Sequence, residues 1–284
     1  MPLTWLITGC SSGFGLSLAR LVQANGHSLI ATSRNPSRTP SLVSEIESNG
    51  GKWLSLDVDD LNCASLIHEL ESAGQHIDVL VNNAGFSILA PGEILTDKEL
   101  RDMMETLYFG PQRLIQAVLP YMRGRRSGVV VNVSSGAALE GRESMGGYAA
   151  AKAAMDGMAR VLSKEVTPFK IRILTLWLGT FNTNFGNAIP QHTNPIPDDY
   201  EGTLVSTFMK AITGGNFTPD GDKDKAMKAL YEVVVGEGVG KGLEGERFLP
   251  LGRDMAARVK QVQDQYSHTM DVFGGVCNNV YRDN

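Results

Sequence analysis

Short apolar runs alternate with amphipathic stretches through the first ~180 residues. Residues 3–8 are apolar up to a glycine and predict a buried strand. Residues 15–25 place Leu18, Leu21 and Val22 on one face, with Gly26 where glycine ends helices. The same reading predicts strands over 28–32, 53–56, 77–81, 129–133 and 171–177. It predicts helices over 42–48, 61–71 and 147–166. Thr96 and Glu99 form a capping-box pattern that opens a helix expected to run to about Tyr121, kinked at Pro111.

Strands that are apolar throughout, alternating with helices, predict a parallel sheet covered on both faces. Right-handed crossovers make this a doubly wound α/β (Rossmann) fold, a single domain over 1–254 with 255–284 as a C-terminal extension. Regularity ends near Leu178. Residues 181–224 are rich in Asn, Pro, Gly and Thr, with one apolar stretch at 204–212. A long insertion after a late strand lies over the sheet's C-terminal edge, so it is expected to form a lid or substrate wall. Residues 247–252 predict one more short strand.

The chain has 284 residues, 42% hydrophobic and 20% charged, enough to bury a large core. Its formal net charge of −5 argues against nucleic acid as a partner. Its three cysteines and five histidines are scattered, which suggests neither a disulfide framework nor a metal site. No apolar run approaches the ~20 residues of a membrane span, and the opening MPLTWLITG lacks a basic signal region. The expectation is a soluble protein of the reducing cytoplasm.

The first strand runs into Thr8-Gly9-Cys10-Ser11-Ser12-Gly13-Phe14-Gly15 and then a helix. Gly9 permits the tight turn, Gly13 the approach of a pyrophosphate, and Gly15 close helix–strand packing. The helix N-terminus offers unpaired N–H groups to phosphates, so Ser11, Ser12 and Phe14 join the expected contacts. The second strand ends Ser33-Arg34, with no acid to bind a ribose 2′-hydroxyl and with an arginine to bind a 2′-phosphate. Arg38 is a second cation in the same loop. The expected cofactor is NADP(H).

Tyr148 and Lys152 stand at i and i+4 on one helix face. A neighbouring ammonium favours the tyrosinate, which suits a phenol to acid–base work. Ser135 ends a strand at the sheet edge, where its hydroxyl could bind a carbonyl oxygen.

TGCSSGFG at 8–15, Asp57 after the third strand, NNAG at 82–85, Ser135 and YAAAK at 148–152 together resemble the short-chain dehydrogenase/reductase family. Ser135 lies thirteen residues before Tyr148, the family's common spacing. The wording is most similar to the branch holding 17β-hydroxysteroid and retinol dehydrogenases and fungal ketoreductases. The resemblance implies that Asp57 and Val58 flank the adenine, and that Asn83, Ala84 and Gly85 line the path of the ribose and diphosphate. It implies Tyr148 as proton donor, Lys152 on the nicotinamide ribose lowering the Tyr148 pKa, and Ser135 orienting the carbonyl. Backbone groups of the loop at Gly179, Thr180 and Phe181 would bind the carboxamide, and Thr183 a phosphate or the amide. The implied reaction is reduction of a hydrophobic ketone to an alcohol, or its reverse, with secondary metabolism as one setting. Relatives form homodimers or homotetramers.

Two departures stand out. Leu107 occupies the place of an asparagine that helps hold a proton-relay water in the family, so the relay takes another route or is impaired; Thr106 is a stand-in facing another way. Leu178-Gly179 replaces a Pro-Gly, which is expected to loosen that turn. The substrate wall is expected to include Ala137, Leu139, Met145, Phe185, Leu204, Phe208 and Met209, with Arg142 and Glu143 at the mouth. Two other readings share the fold: a non-redox isomerase or cyclase, and a nucleotide-sensing binding protein.

Overall fold

The computed structural model describes residues 2–183, 189–214 and 219–282. β1 (Thr4–Ile7), β2 (Ser28–Ser33), β3 (Lys52–Ser55), β4 (Val79–Asn82), β5 (Gly128–Ser135), β6 (Ile171–Leu178) and β7 (Phe248–Leu251) form one sheet. All pairs are parallel and the order is β3-β2-β1-β4-β5-β6-β7. This is the expected doubly wound sheet. The order reverses between β1 and β4, the switch point beside which such folds bind ligands.

Alternation along β1 divides the core. Trp5 and Ile7 pack on one face with α1 (Gly13–Ala24) and α9 (Lys223–Val235), while Leu6 packs on the other. That second face is covered by α3 (Ser65–Ser72), α5 (Gly110–Arg125) and α7 (Gly146–Val166). α2 (Pro40–Ser48) flanks the β3 edge. α9 was not anticipated, because a polar run masks its start.

The helix expected from Thr96 is broken. α4 (Asp97–Met104) is followed by a π-helical turn, Glu105–Phe109, before α5 begins. The irregularity precedes Pro111, which sits in the first turn of α5 where its missing N–H costs nothing. Gly110 is where the helix meets the loop after β3: a Cβ there would lie 2.3 Å from the Val58 carbonyl oxygen. The capping box itself forms, Glu99 N–H donating to Thr96 Oγ1 at 3.2 Å and Thr96 N–H to Glu99 Oε2 at 2.7 Å.

After β5 come the short α6 (Ala137–Glu140) and α7; after β6, the segment that includes α8 (Leu204–Thr213) lies over the sheet's C-terminal edge. α10 (Met255–Asn278) closes the chain. Among the described residues, no helix is long and apolar enough to cross a membrane.

Candidate active site

A cleft of about 810 Å³ runs along the C-terminal edge of the sheet. Every expected cofactor or catalytic residue lines it except Gly15. Gly15 lies beneath the loop, where a Cβ would meet Gly9 O at 2.4 Å and Asn83 Nδ2 at 2.5 Å. Arg38 lies outside the cleft, exposed in the loop after β2, so the pairing of two cations is not formed. A shallower depression of about 450 Å³ along Pro36–Ser48 brings together no acid–base pair.

The glycine loop is held from below. Thr8 Oγ1 accepts the N–H groups of Asn83 and Ala84, both at 3.0 Å, and donates to Val81 O at 3.3 Å. Asn83 Nδ2 donates to Thr8 O at 2.8 Å and Gly9 O at 3.1 Å. The Asn83 amide is therefore committed to the loop, a role that the resemblance did not indicate. Gly9 and Gly13 have φ of +72° and +58°, and a Cβ on Gly13 would meet open space. Ser12 makes no side-chain cap bond to α1, leaving first-turn N–H groups turned toward the cleft without an internal acceptor. Those donors, the glycine cradle and the Arg34 guanidinium, which makes no hydrogen bond among the described residues, fit a dinucleotide.

Tyr148, Lys152 and Asp156 succeed one another at i, i+4 and i+8 on α7, all buried. Burial pushes the Tyr148 phenol up to about 12, opposed by its hydrogen bond with Ser135. The expected net lowering of this phenol is outweighed by its burial. Lys152 Nζ donates to Val133 O at 2.6 Å and lies 5.8 Å from the Tyr148 ring centroid. Burial lowers Lys152 to about 8, against the opposing charge of Asp156. Asp156 Oδ2 accepts Trp177 Nε1–H at 2.7 Å. The i+4 step from Lys152 was the available signal for Asp156. Ser135 Oγ accepts Ala137 N–H at 3.2 Å and is also hydrogen-bonded to Tyr148.

The two departures resolve differently. Leu107 is fully buried against Gly85, whereas Thr106 Oγ1 donates to Asp59 Oδ1 at 2.7 Å and replaces nothing near Lys152. The Leu178-Gly179 turn is clamped rather than loosened. Gly179 N–H donates to Leu251 O at 2.8 Å, and Thr180 donates through N and Oγ1 to Asp254 at 3.3 and 2.8 Å. Arg258 Nη2 contacts Asp254 at 2.7 Å and Thr180 Oγ1 at 3.2 Å, while its Nη1 reaches Glu140 at 3.1 Å. Asp254 and Arg258 were missed because their partners are distant in the chain.

At the other end the cleft is apolar. Ala137, Met145 and Phe208 line it as expected, joined by Leu89, Ile189 and Ile212. Leu139 does not line it, Leu204 is 74% exposed, and Met209 packs beneath with Met103 and Leu107. Phe185 lies outside the described residues. Arg142 stands at the mouth, its guanidinium 5.3 Å from the Phe208 ring centroid, while Glu143 is exposed and does not line the cleft.

Fold and cleft together define a nucleotide-binding α/β enzyme. The family profile described as short chain dehydrogenase matches residues 4–194. The chain is 36% identical over 216 residues to oxidoreductase claN of Passalora fulva, covering 75% of this chain and 97% of that one. It is 36% identical over 214 residues to bovine (Bos taurus) retinol dehydrogenase 8, covering 73% and 67%. A short-chain dehydrogenase from Streptomyces avermitilis superposes with a TM-score of 0.85 at 30% identity, over 99% of this chain and 100% of that one. The chain belongs to the short-chain dehydrogenase/reductase family, oxidoreductases that bind a nicotinamide cofactor and act on small molecules.

Proposed function

We propose that the protein is an NADPH-dependent reductase that converts a ketone of a hydrophobic small molecule to an alcohol, and works in the cytoplasm. The observation that carries this reading is the buried Tyr148 phenol, hydrogen-bonded to Ser135 and raised to about 12. At neutral pH such a phenol carries its proton, as a donor to a carbonyl oxygen must. When bound, the nicotinamide supplies a hydride to the carbonyl carbon.

The chain does the rest. Ser135 donates a hydrogen bond to the carbonyl oxygen and orients it. Tyr148 Oη gives its proton to the same oxygen as negative charge develops there. Lys152, at about 8, is mostly ammonium at pH 7 and favours the tyrosinate left behind. Gly9, Ser11, Ser12, Gly13 and Phe14 hold the diphosphate on the first turn of α1. Asp57 and Val58 flank the adenine, and Ala84 and Gly85 border the adenosine ribose. Gly179, Thr180, Phe181 and Thr183 border the carboxamide. Arg34, without an acid at the end of β2, favours a 2′-phosphate. The apolar wall of Leu89, Met145 and Phe208 favours a hydrophobic substrate.

NADPH oxidation followed by absorbance with a panel of hydrophobic ketones tests the reaction. Tyr148→Phe should bind NADPH as the parent does and lose turnover by at least ~100-fold. Turnover that survives in this variant would remove Tyr148 as the acid.

A further inference from the structure

The apolar end of the cleft holds a cation whose charge its surroundings answer only in part. Arg142 lies in the turn between α6 and α7, with its guanidinium over the Phe208 ring of α8. Among the described residues it makes no hydrogen bond, and its ion pair with Glu140 Oε1 is long, at 3.5 Å. The same oxygen takes Arg258 Nη1 at 3.1 Å. Arg258 has Asp254 at 2.7 Å and Thr180 Oγ1 at 3.2 Å besides, so its fork is spent on the loop after β6. Arg142 keeps a share of one carboxylate. Burial, and then the Arg258 charge, pull its guanidinium below the ordinary value, as befits a cation short of anions.

The backbone holds this side chain in place. Gly141 and Ser144, on either side of Arg142 and Glu143, have φ of +69° and +61°. That region is open to glycine and strained for serine, and such strain persists only where the surroundings impose it. Ser144 O accepts Ala90 N–H at 2.9 Å, which ties the turn to the loop after β4, and Met145 N–H closes it on Arg142 O at 3.1 Å. Arg142 is thereby fixed on the wall that Met145, Phe208 and Ile212 form.

The other charges of the cleft have partners or roles elsewhere. Its carboxylates among the described residues are Asp57, Asp59 and Asp102. Asp57 and Asp59 follow β3, Asp102 pairs with Lys98, and none forms an ion pair with Arg142. The cleft's other cations are Arg34 after β2, Lys152 beside Tyr148, and the spent Arg258. A single planar guanidinium matches a carboxylate through two parallel hydrogen bonds, whereas a phosphate chain calls for a cluster of cations.

We propose that Arg142 binds a carboxylate of the substrate, which makes the ketone a hydrophobic keto acid with its charge remote from the carbonyl. The proposal rests on the reductase reading above. Met145 and Phe208 would cover the apolar stretch between the two polar ends.

Benzoylpropionate and its longer homologues, each beside its methyl ester, test this in NADPH-dependent turnover. The best acid should exceed its ester in kcat/KM by ~10- to 100-fold, chiefly through KM. Arg142→Gln should bring that ratio close to one, and Arg142→Lys, which keeps the charge without the planar fork, should fall between. A merely structural Arg142–Phe208 contact would lower acid and ester alike and leave the ratio in place. A ratio that survives Arg142→Gln, or acids no better than their esters at every length, would overturn the proposal. Calorimetric titration of the same pairs into the protein saturated with NADP+ reads the subsite without turnover. An acid preference in binding that vanishes in Arg142→Gln, with neither ketone reduced, would keep the carboxylate subsite and remove the reductase reading instead.

Discussion

Leu107 closes over Gly85: a Cβ on the glycine would come within 2.8 Å of the leucine Cδ2 and 3.8 Å of Lys152 Nζ. The pair joins the π-helical turn to the floor of the cofactor cleft. Leu107 thus seals apolar volume beside the lysine where a relative would place a polar group. Gly85→Ala should displace the leucine end, at ~1 kcal/mol, and weaken dinucleotide affinity several-fold. Leu107→Ala in that background should recover affinity while costing ~2–3 kcal/mol of stability for the cavity. Fluorescence titration with NADPH and thermal melts would give the cycle. Additive effects on affinity would mean that the two residues do not share this contact.

The sheet was legible because most strands have an apolar centre, and Trp5, Leu6 and Ile7 need a parallel sheet covered on both faces to be buried. The glycine loop and the Ser135, Tyr148 and Lys152 set were legible as local motifs. What escaped were contacts that local patterning cannot carry. Asp254 and Arg258 meet Thr180 across 74 and 78 positions. The Tyr148 shift was misjudged because spacing shows that Lys152 is near, but not that its ammonium turns to Val133 O while burial dominates. One continuous helix kinked at Pro111 is the reading of the local pattern, whereas the chain breaks at the π turn that precedes that proline.

Asp156 is expected to hold the Lys152 ammonium against its burial. Burial pulls Lys152 down to about 8, and the Asp156 charge works against that pull. If turnover needs the ammonium, kcat/KM falls as pH rises through about 8. Asp156→Asn removes the charge while its amide oxygen can still accept Trp177 Nε1–H. The Lys152 pKa should then drop further, moving the alkaline limb down by roughly one pH unit. A limb that stays in place would show that another group controls it.

Arg34 is placed to select the cofactor. It lines the cleft after β2, and its guanidinium makes no hydrogen bond among the described residues. A charge-assisted contact with a 2′-phosphate contributes ~1.5–3 kcal/mol, so Arg34→Leu should raise KM for NADPH by ~10- to 100-fold. KM for NADH should barely change. Steady-state kinetics with both cofactors would decide it, and tighter NADH than NADPH binding by the parent would sink the NADPH assignment.

Glu99 couples the α4 cap to the substrate wall, because its second oxygen, Oε1, accepts Thr193 N–H at 2.7 Å. Burial resists ionisation most strongly, yet the Thr96 and Thr193 hydrogen bonds overcome it and hold the carboxyl at about 2 against an ordinary 4.5. A carboxyl depressed on folding stabilises fully above its unfolded pKa and loses that contribution as pH falls from about 4.5 towards 2. Glu99→Gln removes the charge and should cost on the order of 3 kcal/mol at neutral pH. The melting temperatures of parent and variant should lie well apart at pH 7 and converge in acid. Limited proteolysis should also cut the variant faster between Ile189 and Thr213, since the wall has lost its tie to α4. A gap in melting temperature that stays constant down to pH 3 would show that packing, rather than the Glu99 charge, holds this junction.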